Sequence, residues 1–479
     1  MAELIGRLRG VRRSGPGARG GDLGWLLVFG GAAALVVGWL LTLSLQATCA
    51  FVLIVAVVGF YEHDRRWGIA ALFALWFTAP FLRRVFGLST GFVENDPLSL
   101  APFFATAAVA AIELVRTHIP TPIRRILLLA AAGFLIGLPV GLANAPGSAV
   151  FAFGAYLAGV CGAVLGMREG WSLSDSNLRR VLLYGLPPIA AYALVQRFLP
   201  LPSWDQEWLD ATDFSSIGAG ASEEDKVRVF SSLNSPGALA PLLALSLLCY
   251  LTLQRARPIV LVGAALILTA LSLTFVRSAW VALIAAGLAH VIASEGRSAR
   301  LVLGSGAVIA ALTVAAAPFS ASARDIIDRF ESIGGYQTET SSMERTATLG
   351  QTLPVALQAP LGRGLGSAGE ASKLEVDNAE LRAPDNGYLA LMYQVGPVGF
   401  MLVLIAIGFI MRAAWAGARA RAPGRDLRLL LFSMLVLLLV LLSAGDEFYG
   451  SHGVIFWFLG GQVLAYDHRR REAMASASP

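Results

Sequence analysis

One stretch, Ile259–Ala293, constrains this chain more than any other. It reads IVLVGAALILTALSLTFVRSAWVALIAAGLAHVIA. A helix crosses the bilayer hydrocarbon in ~20 residues. The run is too long for one crossing and fits two if the chain turns near its middle. The middle, Phe275 to Trp280, has no Gly, Pro or Asn to mark an ordinary loop. Arg277 is its only formally charged residue. A charge beside hydrocarbon costs a few kcal/mol, so such residues usually face a cavity and carry function. The competing role is an arginine that snorkels to the headgroups.

Composition agrees with a polytopic membrane protein. Of 479 residues, 56% are hydrophobic and 14% charged, and the mean hydropathy is +0.66, which overrides the domain count that length alone suggests. Basic charge is nearly all Arg, with Lys226 and Lys373 the only lysines, and the net charge of +5 mostly reflects topology. Cys49, Cys161 and Cys249 all fall in apolar spans, without metal spacing or a disulfide framework. The basic segment 1–22 precedes an apolar run at 23–43 that is long enough to be a retained first helix and lacks a clean cleavage site.

The sequence predicts an all-α fold of about fourteen transmembrane helices. They lie near 23–43, 45–61, 67–82, 97–115, 126–143, 149–167, 180–198, 237–254, 259–276, 279–294, 301–319, 386–411, 428–444 and 453–466. With the N-terminus cytoplasmic, inner segments collect 25 of the 37 Lys and Arg. Nine of the other 12 sit in or at the edge of two long loops, which the positive-inside rule does not count. The short outer loops then hold three: Arg83, Arg84 and Arg277. Both termini are therefore expected inside. The chain divides into a basic N-terminus (1–22), helices one to seven (23–198), an outer loop (199–236), four helices (237–319), a large outer loop (320–385), three helices (386–466) and a tail (467–479).

Only the two outer loops can form soluble structure. The first carries Trp204 and Trp208, read as interface anchors. The second has helical periodicity at 323–332 and 341–358, broken by Pro360, Gly362, Gly364 and Gly366. A loop of that length is more often functional than idle. Gly362–Gly366 lacks a preceding strand and is weak as a nucleotide site. No two histidines have ligand spacing, so no metal is expected. His290 reads as structural, and His452 as a modest outer candidate.

The outer face offers arginine instead. Arg228, Arg277 and Arg345 all fall near membrane level outside, where guanidinium forks could clamp a phosphate or diphosphate. For Arg228 and Arg345 the alternative is pairing with Glu223, Glu224 or Glu344.

Four motifs in this order resemble a family. They are RVFSSLNSPGALA at 228–240, LSLTFVRSAW at 271–280, MERTATLGQTLPVALQAPLGRGLG at 343–366 and PDNGYLALMYQVGPVGF at 384–400. Together they resemble the O-antigen ligase and polymerase superfamily of bacterial surface polysaccharide assembly, over roughly residues 180–412. The resemblance implies an inner-membrane, metal-independent glycosyltransferase of C-type architecture, with no cofactor and with its active site on the periplasmic face. Its partners would be an undecaprenyl-diphosphate-linked glycan donor, a glycan or lipid acceptor and the bilayer, without nucleic acid.

The resemblance also implies roles. Arg228, Arg277 and Arg345 would hold the diphosphate. Asp385 and Asn386 stand where many ligases have a His before Asn, so Asp385 departs from the ligase pattern and leaves room for a polymerase. Arg277, Arg345 and Asp385 are then the catalytic candidates, and Asn234, Asn386 and Tyr388 those that position substrate. Asp385 is also a good N-cap for the helix that follows. Glu344, Glu380 and His452 are the reserve bases. Three functions stay open: polymerase, ligase onto lipid A–core or a protein, and a flippase for the same glycans. A transporter is expected to show repeated halves, and none is visible.

Overall fold

The computed structural model describes residues 44–91, 96–170, 176–211, 228–252, 258–294, 350–374, 386–421, 424–445 and 448–477. Among them no strand occurs. The helices are α1 (Leu45–His63), α2 (Arg65–Thr90), α3 (Pro97–Arg116), α4 (Thr121–Ile136), α5 (Leu138–Asn144), α6 (Pro146–Gly170), α7 (Asn177–Tyr184) and α8 (Leu186–Phe198). They continue with α9 (Ser203–Ala211), α10 (Pro236–Leu251), α11 (Pro258–Leu273), α12 (Arg277–Ala293), α13 (Gly387–Arg419), α14 (Arg425–Leu441) and α15 (Gly450–Ala477). Residues 350–358 are also helical.

Among the described residues, seven helices or broken helix pairs are long and apolar enough to span a membrane, and α10, α11 and α12 are shorter apolar helices. Each expected span that falls within the described residues is helical. Those at 23–43 and 301–319 lie outside the described residues, so a count of fourteen is not reached among them. The apolar helices leave large hydrophobic faces bare, with Ile259 78%, Val262 66% and Ile292 66% exposed. Faces of that kind need lipid, and the chain is a membrane protein.

The bundle is built around α15. It is buried without interruption from His452 to Asp467, the polar His452, Gln462 and Asp467 included. Its main partner is α6, and small residues set the approach. A Cβ on Gly166 would stand 1.8 Å from the Phe458 carbonyl oxygen, and one on Gly461 2.0 Å from that of Ala163. With no hydrophobic drive between helices in lipid, this close backbone contact is what holds them.

Boundaries depart from the sequence reading where charge or glycine interrupts hydropathy. The span expected at 67–82 runs from Arg65 to Thr90, carrying Arg83 and Arg84 inside the helix. That at 126–143 is broken at Gly137, and that at 180–198 at Gly185. α13 continues to Arg419 and is broken at Gly396, whose φ of 69° is left-handed and whose neighbour is Pro397.

The break in α13 explains the glycine-rich turn. Breaking a helix frees carbonyls that lipid cannot satisfy. Residues 362–366 supply the donors. The Arg363 N–H donates to Tyr393 O (2.8 Å), that of Gly364 to Gln394 O (3.2 Å), and that of Leu365 to Gly137 O (2.9 Å). The Gly366 N–H reaches the Gln394 side-chain oxygen at 2.9 Å. The segment dismissed above as a weak nucleotide site therefore closes two helix breaks at once.

Candidate active site

The mouth of the α11–α12 hairpin is a three-residue turn, Thr274-Phe275-Val276. Phe275 takes a φ of 53°, a left-handed conformation that a bulky residue adopts only when its surroundings force it. The Thr274 hydroxyl donates to Leu271 O (2.6 Å) and accepts from the Val276 N–H (3.3 Å), pinning the turn. Arg277 is the first residue of α12, at the positive end of the helix dipole.

The segment opening at Arg228 is stitched to this turn. Arg228 Nε donates to Thr274 O at 3.0 Å, and the Val229 N–H faces Leu273 O at 3.4 Å. Two arginines from separate motifs are thus mounted on one hairpin mouth. Beyond them the chain makes a tight turn in which Ser231 has a φ of 52°. Ser235 then caps α10 by accepting from the Ala238 N–H at 3.1 Å. Asn234 lies between, and its Oδ1 is buried without a hydrogen-bond partner among the described residues. An orphaned buried acceptor in a native structure calls for a ligand, a water or a functional explanation.

Behind the turn stands a polar mount that the sequence reading did not find. Arg84 of α2 and Asp205 of α9 form an ion pair at 3.2 Å with both side chains fully buried. Arg84 also donates to the Ser231 carbonyl. Gln196 of α8 accepts from the Phe230 and Ser231 N–H groups (3.2 and 2.6 Å) and donates to Asp205 at 2.7 Å. Tyr192 donates to the same carboxylate at 2.6 Å and accepts from Trp204 Nε1 at 2.7 Å. The Ser231 hydroxyl donates to Ile189 O, and that of Ser232 to Phe77 O. The backbone carrying Arg228 and Asn234 is therefore held by three helices.

The tryptophans belong to the same mount. Trp208 is 4% exposed, packed with Phe230 and under Arg83 at 5.5 Å. It is a packing residue, not the interface anchor expected, because α9 folds it inward. Asp96, which caps α3 beside Arg83, has its carboxyl pushed up by burial, offset in part by the Leu98 N–H and the Arg83 charge.

The start of α13 uses its polar side chains locally. Asn386 Oδ1 accepts from the Leu389 N–H at 3.1 Å, so it is the cap. The Tyr388 hydroxyl donates to Leu439 O at 2.8 Å, and the Gly387 N–H to Leu442 O at 2.8 Å, tying α13 to the end of α14. α14 runs antiparallel to α12: Arg425 at its start donates to Ala293 O at the end of α12. Asn386 and Arg277 thus lie at the same end of the bundle. His452 Nε2 also lies there, donating to Ala238 O at 3.1 Å. His290 is 3% exposed, with its Nδ1 3.1 Å from the Ser433 hydroxyl. Arg345 and Asp385, with Glu344 and Glu380, lie outside the described residues.

Arg277 and the start of α13 fall within a recognised stretch: residues 262–404 match the family model described as O-antigen ligase. This segment, under a third of the chain, is similar to the O-antigen ligase family and supports the superfamily that the four motifs point to. The match runs from α11 into α13, so Arg228, Asn234 and the Arg84–Asp205 mount lie outside it. No curated protein matches the chain.

Proposed function

We propose that this protein is a membrane glycosyltransferase that extends a glycan carried on undecaprenyl diphosphate, working at the periplasmic end of the bundle. The observation that carries this reading is the anchoring of Arg228 on the hairpin mouth of Arg277. Two guanidinium groups at one hairpin mouth, Arg277 opening a helix and Arg228 bonded to the turn beside it, suit a diphosphate.

The donor bond joins an anomeric carbon to the diphosphate. As it breaks, negative charge develops on the leaving oxygen, and preorganised arginines stabilise it. The acceptor hydroxyl attacks the anomeric carbon and gives its proton to a carboxylate, for which Asp385 is the candidate. The products are the lengthened glycan and free lipid diphosphate. Arg345 would complete the clamp, and the unpaired Asn234 Oδ1 would accept from a sugar hydroxyl.

Asp385 in place of the ligase histidine favours a polymerase. The family description favours the second reading, a ligase that passes the glycan to lipid A–core or a protein. Transfer by purified protein in liposomes, with a lipid-linked repeat as both donor and acceptor, separates them. Arg277→Lys keeps the charge but loses the fork, and its rate is expected to fall ~100- to 1,000-fold with folding intact. Asp385→Asn leaves the Asn386 cap in place and is expected to lose a comparable factor. Wild-type rates in Arg277→Lys would refute the diphosphate clamp.

A further inference from the structure

The opposite end of α2 carries a second site. There, ends of α1, α2, α3, α6 and α7 surround a cavity of about 760 Å³, a size typical of ligand pockets. Arg65, Arg66, Arg116, Arg168 and Arg180 line it, against the carboxylates of Glu62, Asp64 and Glu169. We propose that it holds the phosphate of an anionic phospholipid headgroup.

The carboxylates are already engaged within the protein. Glu62 accepts from Arg116 at 2.7 Å. Asp64 accepts from the Arg66 N–H at 2.8 Å. Glu169 accepts from the Asn177 N–H and from Gln462 at 2.8 Å. Behind the lining, fully buried Glu113 orients two of the arginines, with Arg65 at 2.8 Å and Arg168 at 3.9 Å. Arg65, Arg116 and Arg168 remain 43%, 37% and 36% exposed after making those contacts. Five arginines thus line the cavity against three carboxylates, with Arg65, Arg116 and Arg168 held by Glu113 and Glu62, and guanidinium groups are the donors best matched to phosphate oxygens.

The surroundings point to a lipid and away from a soluble phosphate. Phe60, Trp67, Leu114 and Val115, each within five residues of a lining arginine, are 53%, 66%, 48% and 67% exposed. Exposed apolar side chains on the helices that form the cavity suit acyl chains. Arg65 and Arg84 stand 19 positions apart on α2, about 28 Å along a helix. That is close to the ~30 Å hydrocarbon thickness, so the pocket opens at headgroup level. Basic pockets between transmembrane helices bind acidic headgroups in this way.

The test uses the full chain purified in neutral detergent, with phosphatidylglycerol, phosphatidylcholine and inorganic phosphate as probes. Native mass spectrometry reads retention, and thermal unfolding reads stabilisation. Phosphatidylglycerol is expected to be retained and to raise the unfolding midpoint, with phosphatidylcholine and phosphate doing neither. Arg66→Ala with Arg180→Ala is expected to weaken retention roughly 30-fold, at about fivefold per arginine. The Arg66→Lys, Arg180→Lys pair keeps the charges as a check on folding and is expected to retain the lipid more weakly than wild type. Arg124→Ala with Arg125→Ala removes two exposed arginines that do not line the cavity, and retention is expected to hold. Equal retention of phosphatidylcholine, equal loss in both alanine pairs, or a full effect from phosphate alone would overturn the proposal.

Discussion

The α6–α15 contact and the α11–α12 hairpin are both apolar, yet they are built for opposite ends. The first brings backbones together through glycine and buries Phe456, Trp457 and Phe458 completely. The second leaves much of its apolar surface to lipid and gathers polar groups at a turn strained at Phe275: a bonded Thr274 and two arginines. Helices in lipid are held by close packing, and a site that binds charge needs irregular backbone shielded by protein. The two regions divide those tasks.

The largest expected effect breaks the first region. Gly166→Leu drives a side chain into the Phe458 backbone and forces α6 and α15 apart, at a cost above ~4 kcal/mol. Detergent-extracted variant is expected to aggregate on size exclusion, whereas Gly154→Leu, which meets nothing within 4 Å, is expected to elute like wild type. Normal behaviour of both variants would remove α15 from the centre of this account.

A smaller effect separates the hairpin's mount from its chemistry. Asp205→Ala leaves the fully buried Arg84 without its counter-charge, which costs ~3–5 kcal/mol. A fall in the thermal midpoint and loss of transfer are expected together. Replacing the pair with Arg84→Met and Asp205→Leu is expected to recover most of the stability. Transfer is expected to stay impaired, because Ser231 O loses Arg84 and keeps only the longer bond from Gln196 at 3.4 Å. Full recovery of transfer in the double variant would mean that the mount does not position Arg228.

The smallest effect sharpens the boundary between packing and function at α13. Tyr388→Phe removes one hydrogen bond to Leu439 O, about 1 kcal/mol, and transfer is expected to stay within a few-fold of wild type. A loss of 100-fold with normal stability would restore Tyr388 to the substrate-positioning role that the motif implies.

The hairpin mouth was visible in the sequence because a single arginine in a long apolar run is a local signal. Arg228 was visible through its motif, but its bond to Thr274 was not. The Arg84–Asp205 pair was missed for a physical reason. Two arginines end a hydropathy run, so they read as loop, although α2 continues to Thr90 and buries Arg84. The partner of Arg84 lies 121 positions away, beyond any periodicity. Gly362–Gly366 shows the same limit: its spacing announces a turn, and only the breaks at Gly137 and Gly396 give that turn its carbonyls.

Hydropathy and charge, which act residue by residue, determined by themselves that the chain crosses a membrane as helices and where most of those helices lie. Which helix stands at the centre was decided by the tertiary structure alone. α15 is no more apolar than its neighbours, and its burial comes from backbone approach at Gly166 and Gly461, a contact between residues almost 300 positions apart. The pairing of buried charges was decided in the same way, since the energy of an ion pair depends on distance and burial, neither of which a linear sequence contains.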